Sequence, residues 1–129
     1  MRVAVTGATG YVGSRITDVL RRNHGEVIPL VRDPAKLPGT HSIKFVLGQP
    51  PIRGTLAGIN ALIHCAYDFD CQTRAEIHEK NVIGSRLLVE EALRCGVEKI
   101  IAISSASAFP GCRSVYGKTK LEIESIVSQ

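Results

Sequence analysis

Tyr116 and Lys120 stand four residues apart in Tyr116-Gly117-Lys118-Thr119-Lys120, the spacing that puts two side chains on one face of a helix. A free phenol titrates near pH 10, and lowering that value by about three units, to make a neutral-pH base, takes roughly 4 kcal/mol of differential stabilisation. A neighbouring ammonium acts in the needed direction, because it favours the phenolate. The pair is therefore a candidate proton-transfer couple. At the other end of the chain, Thr6 to Gly13 read Thr-Gly-Ala-Thr-Gly-Tyr-Val-Gly, between the apolar run Val3-Ala4-Val5 and a helix-like stretch. Gly7, Gly10 and Gly13 stand where a strand reverses into a helix. The tight turn, the approach of backbone to a pyrophosphate and the close packing of helix on strand each exclude a side chain. The free N–H groups and partial positive charge of the helix N-terminus suit an anion. Thr9, Tyr11 and Val12 join the three glycines as candidate dinucleotide contacts.

These groups need a scaffold that brings the first turn and the last helix to one place. The hydrophobic pattern predicts strands at Arg2 to Thr6, Glu26 to Val31, Ile43 to Leu47, Ala61 to Cys65 and Glu98 to Ser104. Helices are expected at Tyr11 to Asn23, Thr73 to Cys95 and Ser114 to Val127. Val12, Ile16, Val19 and Leu20 form the expected inner face of the first, with Gly25 as its C-cap. The second repeats Ile77, Asn81, Gly84, Leu88, Ala92 and Cys95 in steps of three or four and ends at Gly96. The Pro- and Gly-rich segment 33–51 predicts a short or absent helix. Pro29 argues for a bulge or an edge-like pairing in the second strand. Alternation of strand and helix implies an α/β fold, a three-layer doubly wound parallel sheet of Rossmann type with right-handed crossovers and strand order 3-2-1-4-5.

The 129 residues fit one domain, 1–129, able to bury roughly two-thirds of its unfolded surface. No run of about 18 apolar residues predicts a membrane span, and the immediate entry into a strand leaves no room for a signal peptide, so a cytoplasmic protein is expected. Cys65, Cys71, Cys95 and Cys112 show no metal-ligand spacing, which predicts free thiols and no metal. Sixteen Lys and Arg give a net charge of +4 but form no block or stripe, which speaks against a nucleic-acid partner and fits a phosphorylated cofactor.

The glycine turn, His64-Cys65-Ala66 after the fourth strand, Asn81-Val82-Ile83-Gly84-Ser85 on the long helix, Ser104-Ser105 after the fifth strand and the Tyr-x-x-x-Lys pair occur in one order. In these features the chain resembles the short-chain dehydrogenase/reductase superfamily, nearest the cofactor-binding N-terminal part of its extended or atypical epimerase and dehydratase branch. The resemblance implies that Lys120 also holds the nicotinamide ribose, that a serine hydrogen-bonds the substrate oxygen and that Tyr116 transfers the proton. Hydride passes to or from the nicotinamide. Counting back from Phe109 places the serine at Ser105, with Ser104 and Ser107 as alternatives. Asn81 is expected to hold a backbone carbonyl or a water in the proton relay, and Cys65 and Ala66 to line the cofactor.

Val31-Arg32-Asp33-Pro34 displaces the acid that reads an NAD ribose and puts an arginine near the strand tip. Arg32, supported by Lys36, therefore predicts NADP, with NAD possible if Asp33 turns inward. The resemblance implies an oxidoreductase, epimerase or dehydratase acting on a hydroxyl or carbonyl carbon of a small molecule, a nucleotide sugar among the candidates. The alternative is a non-catalytic NADP-binding regulator, which would ordinarily lack Tyr-x-x-x-Lys. The chain departs from relatives in three ways. Ser105 precedes Tyr116 by only 11 residues, no acid follows the third strand in Leu47-Gly48-Gln49-Pro50, and the sequence stops with the helix carrying Lys120. A fragment or a reduced protein is expected, with the substrate-binding region absent and an exposed sheet edge favouring a homodimer.

Overall fold

The computed structural model describes residues 1–23 and 25–129. Five parallel strands, β1 (Arg2–Thr6), β2 (Glu26–Val31), β3 (Ile43–Lys44), β4 (Ala61–His64) and β5 (Lys99–Ala102), are ordered β3-β2-β1-β4-β5. Their continuous apolar character follows from burial on both faces. Ala4, Ile28, Leu30 and Leu62 point to one side and pack with Leu88 and Ala92. Val3, Val5, Val27, Val31 and Ala61 point to the other and pack with Leu20. The result is the expected three-layer doubly wound architecture. Order reverses between β1 and β4, whose C-terminal residues Thr6 and His64 pair directly. Ligands of such sheets bind at that switch point.

Pro29 pairs with Val5 inside the sheet, yet lies before the β3 ladder begins at Leu30 opposite Ile43. The Val31 carbonyl bonds Phe45 N–H, so Pro29, two residues earlier, turns its missing N–H to the same side, where β3 has not started. The pairing is edge-like, and no ladder bond is lost. The strand expected to reach Leu47 is only two residues long, because the chain turns at 46–49, where Gly48 (φ +92°) lies against Lys80. Between β2 and β3 there is only a 3₁₀ turn, Pro34–Lys36.

The first helix, α1 (Tyr11–Arg22), is rotated from its expected orientation. Gly13 and Thr17 are buried, whereas Val12 and Val19 are exposed. Gly13 sits so close to the Gly7 carbonyl that the glycine side of the helix must face the strand, which turns Val12 and Val19 outward. The cap is Asn23, not Gly25. Asn23 bonds the Val19 and Leu20 carbonyls, and Gly25 adds its own N–H to Leu20.

The long helical segment 74–94 is not uniform. Two α-helices, α2 (Arg74–Ile77) and α3 (Gly84–Arg94), are joined by a π-helical stretch, His78–Ile83. Thr73 and Glu76 form a reciprocal capping box at its start, and Gly96 (φ +76°) closes its end. Of the expected inner face, Asn81, Gly84, Leu88 and Ala92 are buried and Ile77 and Cys95 half-buried. Val82 and Val89 are also buried, because α4 (Val115–Val127) covers a second side through Ile126.

Candidate active site

The turn after β1 has the properties an anion needs. Gly7 is left-handed (φ +63°), its N–H to C=O turn closed by Gly10 N–H on the Gly7 carbonyl at 2.9 Å. A Cβ on Gly7 would lie 3.0 Å from the Ala66 nitrogen, and one on Gly13 only 2.2 Å from the Gly7 oxygen. Gly10 caps α1 without any side-chain bond, and the first turn carries no acidic residue. The N–H groups at 11–13 therefore remain for a ligand. Thr9, Gly10, Tyr11 and Val12 are all exposed around this opening. A cradle that side chains would fill, at an uncapped helix end, fits a dinucleotide's pyrophosphate.

Arg32 is exposed just beyond β2, at the same edge of the sheet. Asp33 is engaged locally, its carboxylate accepting Ala35 N–H at 3.1 Å to cap the 3₁₀ turn that carries the exposed Lys36. Cys65 and Ala66 follow β4 and form the floor under Gly7. The Cys65 thiol is pushed up to about 11, first by burial, against the opposing pull of Lys120, so it is a poor nucleophile at neutral pH.

On α4, Tyr116 and Lys120 share a face, as their spacing required. Lys120 is buried and its Nζ donates to the Ile103 carbonyl at 2.9 Å. Nζ stands 5.2 Å from the Tyr67 ring centre and 5.8 Å from that of Tyr116, within cation–π range of both. Burial holds the Lys120 amine below the usual lysine value, with Cys65 opposing. Among the described residues, two of its three donors are left for other partners. Gly117 makes the approach of α4 to the serine loop possible, since a Cβ there would meet the Ser107 carbonyl at 2.2 Å.

The three serines differ in what they hold. Ser104 donates to Glu124 on α4. Ser105 accepts Ser107 N–H at 3.1 Å, and among the described residues its own hydroxyl hydrogen has no acceptor. Ser107 is exposed.

Asn81, fully buried in the π-helical stretch, grips one backbone unit from both sides. Its Oδ1 accepts Asp68 N–H at 2.7 Å and its Nδ2 donates to the Asp68 carbonyl at 3.1 Å. Asp68 pairs with Lys80 at 3.4 Å, and its carboxyl is held below the usual range by the Asp70 backbone N–H and then by Lys80. Asn81 thereby fixes the loop bearing Tyr67 and Phe69. These two rings cluster with Tyr116, at 4.9 and 5.7 Å between centres, and with Val115 and Ile77 they line a recess of about 200 Å³.

Tyr67 and Phe69 were not singled out from sequence, nor were Thr6, His64 and Ser85 as individual site residues. Thr6 and Ser85 flank the buried His64 ring within hydrogen-bond distance. A histidine closing the apolar run Ala61-Leu62-Ile63 was the available signal, because a buried imidazole needs partners. Among the described residues no cluster of three His, Cys, Asp or Glu suits a metal, all four cysteines are unpaired, and no helix is long and apolar enough to cross a membrane.

A glycine cradle at the β1/β4 switch point, with a Tyr-x-x-x-Lys helix following β5, defines an NAD(P)-binding Rossmann domain of the short-chain dehydrogenase/reductase type. The chain belongs to the NAD dependent epimerase/dehydratase family, which matches residues 3–128. It is 32% identical over 117 residues to sterol demethylase protein B of Methylococcus capsulatus, covering 84% of this chain and 35% of that protein. It is 30% identical over 127 residues to a 3-beta-hydroxysteroid dehydrogenase of Mycolicibacterium neoaurum, covering 88% and 34%. The solved structure of MoeE5 in complex with UDP-glucose and NAD superposes with a TM-score of 0.83 at 28% identity, covering 98% of this chain and 48% of that one. The chain thus spans about a third of these two curated relatives.

Proposed function

We propose that this chain is the cofactor-binding and proton-transfer part of an NAD(P)-dependent oxidoreductase, epimerase or dehydratase acting on a hydroxyl or carbonyl carbon. The observation that carries the reading is the Lys120 ammonium held beside the Tyr116 ring, on a helix that meets the same sheet edge as the glycine cradle. When bound, the nicotinamide supplies the hydride acceptor or donor. Tyr116 moves the proton at the substrate oxygen, and Ser105, with its hydroxyl hydrogen uncommitted, donates to that oxygen. Lys120 keeps positive charge beside the phenol and has donors to spare for the ribose. Asn81 supports the site by holding a backbone carbonyl, that of Asp68, which favours that role over a water relay.

The substrate is a small molecule seated over Tyr116 in the recess walled by Tyr67 and Phe69. A nucleotide sugar is one class, as bound in MoeE5. The apolar wall equally suits a hydroxysteroid-like ring system, as two relatives are named for sterol or steroid chemistry. NADP is the favoured cofactor, because Arg32 is exposed at the strand tip while Asp33 is committed to its cap. MoeE5 holds NAD, so discrimination is the measurement of choice. Titration by NADPH and NADH fluorescence should show tighter NADPH binding, with Arg32→Ala losing about tenfold for NADPH and little for NADH. Equal losses for both would remove the phosphate-reading role. The β5 edge, with Ile101 half exposed, is the surface on which a homodimer would pair, and solution scattering reads that directly.

A further inference from the structure

His64 ends an otherwise apolar strand and is 2% exposed, with a buried hydroxyl on each ring nitrogen. Nδ1 lies 2.7 Å from Thr6 Oγ1, and Nε2 lies 2.8 Å from Ser85 Oγ. The surrounding bonds dictate where each proton sits. Ser85 has one hydroxyl hydrogen and directs it to the Asn81 carbonyl at 2.5 Å, so its oxygen must accept from Nε2–H. Thr6 Oγ1 already accepts the N–H groups of Cys65 at 3.0 Å and Ala66 at 3.1 Å, so its hydrogen goes to Nδ1. Only the neutral ring with its proton on Nε2 satisfies every member. The other tautomer would point a third donor at Thr6 and face the Nε2 lone pair with an oxygen whose hydrogen is already used.

This line of bonds ties together segments distant in sequence. It begins at the Cys65 and Ala66 amides, the floor against which Gly7 packs. It passes through Thr6, next to the phosphate turn, and ends at Asn81, whose side chain holds the Asp68 loop. Burial, followed by the nearby Lys120 charge, lowers the ring to about 4 and keeps it neutral at physiological pH. A charged ring would lose its acceptor for Thr6.

We propose that His64 is a positioning residue, whose neutral Nε2–H tautomer sets the phosphate turn and the Asn81 segment relative to each other and so couples dinucleotide affinity to the geometry around Tyr116. The inference rests on the dinucleotide reading above. It is tested with Ser85→Ala, Thr6→Val and Thr6→Ser, by NADPH fluorescence titration, thermal melting and ¹⁵N NMR of the imidazole at pH 7. Wild type should show a protonated Nε2 and an unprotonated Nδ1. Ser85→Ala, though removed from the phosphate turn, should weaken NADPH binding about fivefold in molecules that remain folded, and Thr6→Ser should stay within about twofold of wild type. Thr6→Val and Ser85→Ala should combine less than additively, because both act through one ring. A protonated Nδ1 in wild type, or a Ser85→Ala protein that melts lower yet binds NADPH as well as wild type, would overturn the proposal. Wild type that binds no dinucleotide would remove the proposed function along with it, whereas unchanged affinity in Ser85→Ala removes this inference alone.

Discussion

A Cβ atom on Gly13 would stand 2.2 Å from the carbonyl oxygen of Gly7. That proximity sets how α1 leaves the turn after β1, and with it the direction of the N–H groups offered to a pyrophosphate. Gly13→Ala has no flexible side chain to displace, only backbone. It should cost about 1–3 kcal/mol of stability by overpacking and lower NADPH affinity at least tenfold, read by urea denaturation and fluorescence titration. Wild-type affinity in a stable Gly13→Ala protein would show that the turn does not grip the cofactor.

Gly117 plays the matching part at the other wall. Its missing side chain lets α4 touch the Ser107 carbonyl, with Ser114 Oγ and Cys112 Sγ also within 3.0 Å of a Cβ built there. Gly117→Ala should lose about 1–3 kcal/mol and lift the helix from the serine loop. Cys112 is only 6% exposed, so its labelling by a thiol reagent should accelerate in the variant. Unchanged labelling would place the strain elsewhere.

Lys120 carries a buried ammonium whose only hydrogen bond to the protein runs to the Ile103 carbonyl, among the described residues. Lys120→Met keeps the stem, loses that bond and relieves the burial of charge, so stability should stay within about 1 kcal/mol of wild type. NADPH affinity should fall about tenfold, and any turnover by about a hundredfold or more. Full retention of both binding and turnover would remove Lys120 from the site.

His64 also predicts an acid limb of stability. Its ring titrates near 6.5 when unfolded and about 4 when folded, so the unfolded chain binds the proton first. The stability is complete above pH 6.5, is lost as pH falls from 6.5 towards 4, and changes no further below that for this group. The gap corresponds to about 3 kcal/mol. Urea midpoints at pH 7, 5.5 and 4.5 should fall more steeply for wild type than for His64→Gln. Parallel curves would assign the acid sensitivity to the carboxylates instead.

The elements were largely legible from local pattern. Apolar runs buried on both faces mark the strands, and glycine spacing marks the turn after β1, because these signals depend on neighbours in sequence. The rotation of α1 was not legible, since Val12 and Val19 fit a helical stripe as well as Gly13 and Thr17 do, and the Gly7 carbonyl decided between them. The π-helical stretch was likewise hidden. Within it Asn81 holds Asp68, 13 positions away, a contact that no local pattern announces.

The chemistry-bearing residues and their helical spacing belong to the sequence itself: the glycine turn, Asn81, the serines after β5, and Tyr116 with Lys120. Local geometry suffices for that, because a turn, a cap or an i,i+4 pair is closed within a few residues. Only the folded chain decided that Ser104 is spoken for by Glu124 while Ser105 is not, that Tyr67 and Phe69 wall the recess, and that one imidazole joins three segments. Those outcomes rest on contacts between residues 20 to 58 positions apart, and such contacts exist only once the sheet has ordered its strands.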